Sequence, residues 1–236
     1  MNKVKLHTLW LLGMLFLMTA CGDDDDYYYP SVKLEFVTVK AGADGLIQSL
    51  LPDKGELLTV AKDRTGSTIS PNSARRVISN YEVNPEDATA VIYSLQSVVT
   101  PEPKEADDPA FEGGLKYDPV DVTSIWLGRD YLNMILNVKV NINSGKQHVF
   151  GMIEESVESE GDETVVTLSL FHDANGDEEN YNRRAYISVP LTKYVDEENP
   201  HQAIRIKFKY HTTDKSGVVE SSKYCNPGFE YVPDGN

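Results

Sequence analysis

Apolar and polar residues alternate along most of the chain after residue 31, and this alternation predicts β-strands. The clearest stripe covers residues 132–142, where every even position is apolar and most odd positions are asparagine or lysine. Because successive strand side chains point to opposite faces, the stripe predicts one buried face and one wet face. Three further stripes share the pattern: Val166, Leu168 and Leu170; Ala185, Ile187 and Val189; and Ile204, Ile206, Phe208 and Tyr210.

Turn residues separate these stripes at the spacing typical of a β-sandwich. Turn signals occur at residues 128–130, 143–145, 161–162 and 175–177. Two sheets packed face to face would bury the stripes together, so residues 118–233 are predicted as an antiparallel β-sandwich. We expect Trp126 to fill the core of this sandwich rather than line a ligand platform, because tryptophan is highly buried on average.

Shorter strands are predicted in residues 32–100. The first carries Val32, Leu34 and Phe36 in alternation with charged residues, and the next two form a hairpin across the Pro-Asp-Lys-Gly turn at 52–55. Two more strands centre on residues 77–83 and 91–99. Five short strands without a convincing helix indicate a small closed or partly open barrel. Residues 101–117, rich in proline, acid and glycine, are predicted as the linker between the two domains.

The N-terminus predicts membrane anchoring through lipid. Lys3 and Lys5 precede a short apolar run, and small residues lead to Cys21. This pattern is typical of a signal peptide over residues 1–20 that is cleaved before a lipidated cysteine. Two or three acyl chains on Cys21 would hold the protein firmly at a membrane that it does not span. The alternative is an uncleaved N-terminal anchor.

Four consecutive aspartates at residues 23–26 follow the cysteine. Adjacent carboxylates repel one another, so residues 21–31 are predicted as a solvated, extended tether. The acidic run also resembles the surface export signal of lipoproteins in the Bacteroidetes. That resemblance implies a lipid-anchored protein in the outer membrane that is exposed on the cell surface.

Charge and cysteine content narrow the possible partners. Removal of Lys3 and Lys5 with the signal peptide takes the formal net charge from −15 to −17. A nucleic-acid partner is therefore not expected, since such proteins neutralise phosphates with lysine and arginine. Cys225 is then the second cysteine of the mature chain and has no intramolecular partner. We expect a buried or half-buried thiol, with an intermolecular disulfide as the alternative.

Longer segments resemble the NigD-like lipoproteins of the Bacteroidetes. The resemblance lies in SIWLGRDYLNMILNV (124–138), HVFGMI (148–153) and LSLFHDANGDEENYNRRAYISVPL (168–191). It implies an N-terminal OB-like β-barrel followed by a C-terminal β-sandwich, and thus an all-β chain. The name of the family comes from a bacteriocin-associated operon, which implies an immunity or accessory role. The family supplies no catalytic residues, so the resemblance adds no site beyond Cys21.

No motif in the sequence indicates catalysis or a cofactor. The chain has no HExxH pair, no GxSxG nucleophile elbow and no glycine-rich phosphate loop. The four histidines after the signal peptide are not at metal-ligand spacing. They are His148, His172, His201 and His211. We therefore predict no catalytic, cofactor or metal residues and a protein that is not an enzyme.

One loop begins like a calcium site. Asp173, Asn175, Asp177 and Glu179 place oxygen ligands at alternate positions. The pattern then fails, because Glu178 stands where the sharp-turn glycine belongs and Arg184 where the bidentate glutamate belongs. A polar hairpin turn is the favoured interpretation, with calcium binding as the alternative.

Basic residues form a second candidate. Arg205, Lys207 and Lys209 share one phase of a strand, and Arg183 and Arg184 could join them. Charge pairing with acids on neighbouring strands is the favoured interpretation. The alternative is a basic patch for an anionic glycan or for the acidic face of a partner.

Three functions remain open at this stage. The leading hypothesis is a non-enzymatic, surface-anchored lipoprotein that binds a protein or glycan partner at the cell envelope. The second is a hydrolase or lyase of surface polysaccharide, which would need convergent carboxylates in a deep pocket. The third is a bacteriocin-associated immunity or accessory lipoprotein. Oligomeric state is open in all three.

Overall fold

The computed structural model describes residues 32–160, 163–177 and 180–233, which fold into two β domains with no α-helix among them. The all-β prediction is confirmed. The predicted signal peptide, Cys21 and the acidic tether lie outside the described residues. None of the described helical segments is long and apolar enough to cross a membrane.

The first domain is a closed five-stranded barrel. Its strands are β1 Val32–Ala41, β2 Ile47–Pro52, β3 Leu58–Asp63, β4 Ala74–Asn84 and β5 Thr89–Ser97. They follow the order β1-β2-β3-β5-β4, and β4 closes onto β1. The β3–β5 pair is parallel, and the other pairs are antiparallel. The hairpin predicted across residues 52–55 is confirmed, with Leu50 opposite Leu58.

The residues of β1 that fill the barrel are not those of the stripe predicted from the sequence. Val37 and Val39 are fully buried inside the barrel. Val32 and Leu34 are exposed, and Phe36 is buried on the outside of the barrel against the second domain. The apolar stripe of β1 therefore faces outward, because its last residue covers the sandwich.

The second domain is a sandwich of two sheets. The larger sheet has the order β13-β12-β10-β9-β6, and the smaller sheet has the order β11-β8-β7. Its strands are β6 Pro103–Glu105, β7 Asp121–Gly128, β8 Tyr131–Val140, β9 Val149–Glu160, β10 Glu163–Asp173, β11 Tyr181–Pro190, β12 Ile204–Asp214 and β13 Gly217–Tyr231. Most pairs are antiparallel, whereas β6–β9 and β10–β12 are parallel.

The sandwich core contains the stripes predicted from the sequence. Leu132, Met134 and Leu136 of β8 are fully buried, as are Ile206 and Phe208 of β12. Each Å² of apolar surface that is buried contributes roughly 25 cal/mol of stability. This cluster is therefore the main source of stability in the domain. Barrel and sandwich belong to one compact unit.

The segment predicted as a linker, residues 101–117, has structure of its own. Strand β6 lies within it and adds to the edge of the larger sheet beside β9. A short 3₁₀-helix, Pro109–Phe111, then buries the Phe111 ring against Phe171 at 5.0 Å between centroids. A three-residue strand is too short to show periodicity, which is why the sequence pattern missed it.

Candidate functional site

A cleft of about 510 Å³ opens between the barrel and the smaller sheet of the sandwich. We call it the interdomain cleft, and its aromatic wall consists of Phe36, Trp126 and Tyr186. The centroid of the Phe36 ring lies 5.2 Å from that of Trp126 and 6.2 Å from that of Tyr186, both in edge-to-face geometry. The volume falls in the range of ligand pockets, which are mostly apolar with a few polar groups.

The register of β7 explains why Trp126 lies in this cleft. Ile125 and Leu127 pack into the sandwich core, so Trp126 between them points to the opposite face of the sheet. The prediction that Trp126 fills the sandwich core is therefore wrong. The ring is only partly buried and lines the cleft, where it packs against Phe36 of the barrel.

The rim of the cleft carries charges of both signs. Lys33, Lys54 and Arg184 are its basic residues, and Glu35 and Asp53 are its acidic ones. Asp53 accepts hydrogen bonds from the buried side chains of Arg76 in the barrel and Asn133 in the sandwich, so it joins the two domains. A polysaccharide hydrolase requires two convergent carboxyl groups that act on the substrate. Of the two acidic residues in this cleft, Asp53 is already bonded to Arg76 and Asn133, so the cleft fits that chemistry poorly.

A buried arginine joins the two domains behind the cleft. Arg76 of β4 is 4% exposed and forms an ion pair with Asp53. Its guanidinium also donates to Ser188 Oγ at 3.0 Å and to Asn133 Oδ1 at 3.2 Å, both in the sandwich. The Arg76 guanidinium carbon lies 4.3 Å from the centroid of the Tyr131 ring, a cation–π contact. We call these five residues the Arg76 network.

Asn133 is a buried member of the set of polar residues on β8. The alternation predicts an exposed side chain, but Asn133 is fully buried. Its Nδ2 donates to Asp53 Oδ2 at 2.8 Å, and its Oδ1 accepts from Ser188 Oγ at 2.6 Å. The amide group can be buried because both its nitrogen and its oxygen have a hydrogen-bond partner.

His148 and His172 contact each other and link two aspartates, Asp118 through its backbone carbonyl and Asp177 through its side chain. His148 Nδ1 lies 2.9 Å from His172 Nε2, and His172 Nδ1 lies 2.9 Å from the carbonyl oxygen of Asp118. A carbonyl only accepts, so His172 Nδ1 carries the proton and neutral His172 accepts at Nε2 from His148. His148 Nε2 faces Asp177 Oδ2 at 3.4 Å.

Burial lowers the pKa of His172, which stacks on the Phe150 ring at 4.6 Å between centroids. The folded state therefore favours the neutral imidazole, whereas the unfolded chain takes up a proton below about pH 6.5. We expect the free energy of unfolding to fall as pH drops from 7 to 5, and this fall to be smaller in His172→Gln. Urea denaturation at several pH values measures it, with exposed His201→Gln as the control for loss of an imidazole. Equal slopes in wild type and H172Q would contradict the assignment.

The calcium-like loop forms the turn between β10 and β11. Asp173 Oδ1 accepts from the Asn175 backbone N–H at 2.7 Å, and Asp177 Oδ2 accepts from that of Asn141 at 2.9 Å. Asn175 has a φ of 56° and Gly176 a φ of 61°, the left-handed conformation of a tight turn. Glu179 lies outside the described residues. Within the described residues, no group of three or more histidine, cysteine or acidic side chains could hold a metal ion.

The basic residues separate into two groups. Arg205, Lys207 and Lys209 of β12 pair with Glu163 (2.7 Å), Glu160 (3.4 Å) and Glu155 (2.7 Å) respectively. Charge pairing across strands thus accounts for this stripe. Arg183 and Arg184 lie on β11, in the other sheet, so the five residues do not form one patch.

The remaining candidates lie apart from the cleft. Cys225 on β13 is half-buried, and its Sγ lies 3.5 Å from the Phe208 carbonyl oxygen. Burial raises the pKa of this thiol, which lowers its reactivity at neutral pH. His211 stacks on Tyr117 with 4.6 Å between ring centroids. His201 lies in an exposed loop before β12.

Comparison with known proteins agrees with this two-domain architecture. Residues 36–98 match the family model of the NigD-like N-terminal OB domain, and residues 103–221 match that of the NigD-like C-terminal β-sandwich domain. The chain is thus a two-domain protein with an OB barrel and a β-sandwich. It belongs to the NigD-like family, as its resemblance to that family predicted.

Two solved structures show the extent of the similarity. The crystal structure of a NigD-like immunity protein from Bacteroides caccae ATCC 43185 is 71% identical, with a TM-score of 0.78, and the match covers 88% of this chain and all of that one. A protein of unknown function from Bacteroides vulgatus ATCC 8482 shares the fold at 17% identity and a TM-score of 0.62, over 87% of this chain and 96% of that one. No curated protein matched the chain.

Proposed function

We propose that this protein is a non-enzymatic lipoprotein, anchored at the cell surface through Cys21, that binds a protein or glycan partner in the interdomain cleft. The cleft itself carries the proposal. Phe36, Trp126 and Tyr186 come from three strands and two domains and present aromatic surface in one place. Aromatic rings in a concave site are the usual anchors for a protein side chain or a sugar ring.

The cleft is suited to binding because its walls are held in place before a partner arrives. The Arg76 network fixes the barrel to the smaller sheet directly behind the aromatic wall. Val99, just after the barrel, adds a parallel bridge to β11 through two backbone hydrogen bonds of 2.9 Å. A site that needs no rearrangement keeps more of its interaction energy as affinity.

Crosslinking on intact cells tests this proposal. A photoreactive amino acid at Leu34, which is 70% exposed and lines the cleft, is expected to form adducts with a partner. The matched control is the same group at Val218, 54% exposed on β13 and outside the cleft. Adducts at residue 34 that disappear in Trp126→Ala would support the cleft. Equal labelling at both positions, or none at residue 34, would contradict it.

The surface location is a separate part of the proposal and has a separate test. Proteinase added to whole cells is expected to degrade the protein, and Cys21→Ser is expected to release it from the membrane fraction. Protection of the native protein until the outer membrane is broken would place it on the periplasmic face and contradict surface exposure.

An immunity role is the second candidate. The observation that favours it is the 71% identical protein from Bacteroides caccae, which is described as a NigD-like immunity protein. A strain lacking this protein is then expected to become sensitive to a toxin of a competing strain, and the wild-type gene is expected to restore resistance. Unchanged survival in a killing assay would contradict this role while leaving partner binding in the cleft intact.

A further inference from the structure

A second concave surface, of about 500 Å³, lies along the edge of β11. We call it the β11-edge groove. One side is formed by the end of β5 and its continuation, including Ser97 and Val99, and the other by β11 and the turn that carries Lys146 and His148. It adjoins the interdomain cleft, with which it shares Gln96, Arg184 and Tyr186.

The backbone of β11 is ready to accept a further strand at this groove. Val99 donates its N–H to the Tyr186 carbonyl and accepts from the Ser188 N–H, each at 2.9 Å. Peptide groups alternate in direction along a strand, so the N–H and C=O of Arg184 point to the same free edge. β11 is the last strand of its sheet, and no described segment pairs with this edge before Val99. An unpaired strand edge is a template for an extended peptide.

The side chains around this edge are basic in a strongly acidic protein. Arg183 and Arg184 form no ion pair or side-chain hydrogen bond with any described residue, in contrast to the paired bases of β12. Lys146 adds a third cation, whose Nζ donates to the Gly176 carbonyl at 2.5 Å. Asp177, which faces His148, is the one acidic residue among the described lining. A chain of net charge −15 therefore presents a local site for anions.

We infer that the β11-edge groove binds an extended, acidic segment of a partner protein, which adds as a strand beside Arg184. Arg183 and Arg184 point to opposite faces of the sheet, so carboxylates on two successive residues of the segment meet one arginine each. The free edge favours a peptide over a glycan, because only a peptide can continue the ladder of backbone hydrogen bonds. The two arginines supply charge-assisted hydrogen bonds in a fork geometry that suits carboxylates. This inference gives the chemistry of a partner within the proposed function but uses a different surface from the aromatic wall.

A direct binding measurement tests the inference on the full mature chain. The probe is a fluorescent eight-residue peptide in which pairs of successive glutamates are separated by valine and threonine, so that both faces of the added strand carry carboxylates. We expect binding by anisotropy, with affinity reduced about tenfold or more in Arg183→Gln/Arg184→Gln. A peptide with glutamine in place of glutamate is expected to bind at least about tenfold more weakly, and one with alternate backbone nitrogens methylated is expected not to bind.

The matched control is Lys207→Gln/Lys209→Gln, which removes the same two charges from the exterior of the other sheet. K207Q/K209Q is expected to bind the acidic peptide within about twofold of wild type. An equal loss in K207Q/K209Q would mean attraction by overall charge and would overturn the inference. So would absence of peptide binding at about 1 mM, or binding of a sulfated oligosaccharide in place of the peptide. Circular dichroism of R183Q/R184Q checks that the exposed substitutions leave the fold intact, and Leu34 crosslinking tests the cleft separately.

Discussion

Replacement of Arg76 by methionine is expected to destabilise the protein by about 3–5 kcal/mol. Methionine replaces the aliphatic part of the side chain but removes the guanidinium, and the Arg76 side chain is 98% buried. Asp53, with a side chain only 12% exposed, would lose its cation, and Asn133 and Ser188 would each lose a donor. The largest loss of stability comes from the charge that stays buried without its partner once the ion pair is broken. Urea denaturation followed by circular dichroism measures the change.

Arg75 provides the control on the same strand. It is exposed, and the one side-chain hydrogen bond that it makes with a described residue is to Ser97 Oγ at 3.3 Å. Arg75→Met is therefore expected to change the free energy of unfolding by no more than about 0.5 kcal/mol. A second substitution, Asp53→Asn, separates charge from packing, because D53N/R76M contains no orphaned carboxylate. This double variant is expected to be more stable than R76M alone. A loss below about 1 kcal/mol in R76M would mean that the network contributes little.

The Arg76 network also explains how the two domains act as one body. In wild type we expect a single unfolding transition, because the barrel and the sandwich share a buried interface. The same interface forms the back of the interdomain cleft. A loosened interface would therefore change the geometry of the aromatic wall as well as the stability.

The sequence pattern predicted the sandwich well because each strand there has one simple buried face. Leu132, Leu136 and Phe208 alternate with polar neighbours, and all three lie in the core. Period-2 alternation is the direct consequence of burying one face of a sheet. The turn signals at 128–130, 143–145 and 175–177 are confirmed, with Arg129, Gly145, Asn175 and Gly176 at positive φ. The signal at 161–162 lies outside the described residues.

The interdomain contacts could not be predicted, because alternation does not say which face meets another domain. Phe36 and Trp126 are apolar residues on outer faces, where they cover each other. Asn133 is polar yet buried, because it bonds to Asp53 and Arg76 of the barrel as well as to Ser188 of the sandwich. Asp53 lies 80 residues earlier in the chain. Such pairings depend on tertiary structure alone. The same is true of His148 and His172, which the pairing of β9 with β10 brings together.

Which basic residues have acidic partners could not be predicted from the sequence either. The sequence places Arg183 and Arg184 among several basic residues and does not distinguish them. The structure does, because β12 lies beside strands rich in glutamate, whereas β11 is an edge strand with no acidic strand next to it. Whether a basic residue is paired thus follows from sheet order, which cannot be derived from one strand's pattern.

Replacement of Phe208 by alanine is the second large effect that we expect, with a loss of about 3–5 kcal/mol in the free energy of unfolding. Phe208 is fully buried at the centre of the larger sheet, opposite Leu168 of β10 and Tyr224 of β13. Its ring stacks on Tyr210 with 5.9 Å between centroids, so alanine would leave a cavity with few atoms free to fill it. Urea denaturation gives the change.

Two further variants define what the loss at residue 208 means. Phe208→Leu keeps most of the volume and is expected to lose no more than about 1.5 kcal/mol. Val218→Ala, at an exposed position on β13, is expected to stay within about 0.5 kcal/mol of wild type. If F208A lost as little as V218A, the centre of the larger sheet would be loosely packed. A graded loss from leucine to alanine would instead show that close packing around Phe208 holds the two sheets together, and with them the edge of β11 and the wall of the cleft.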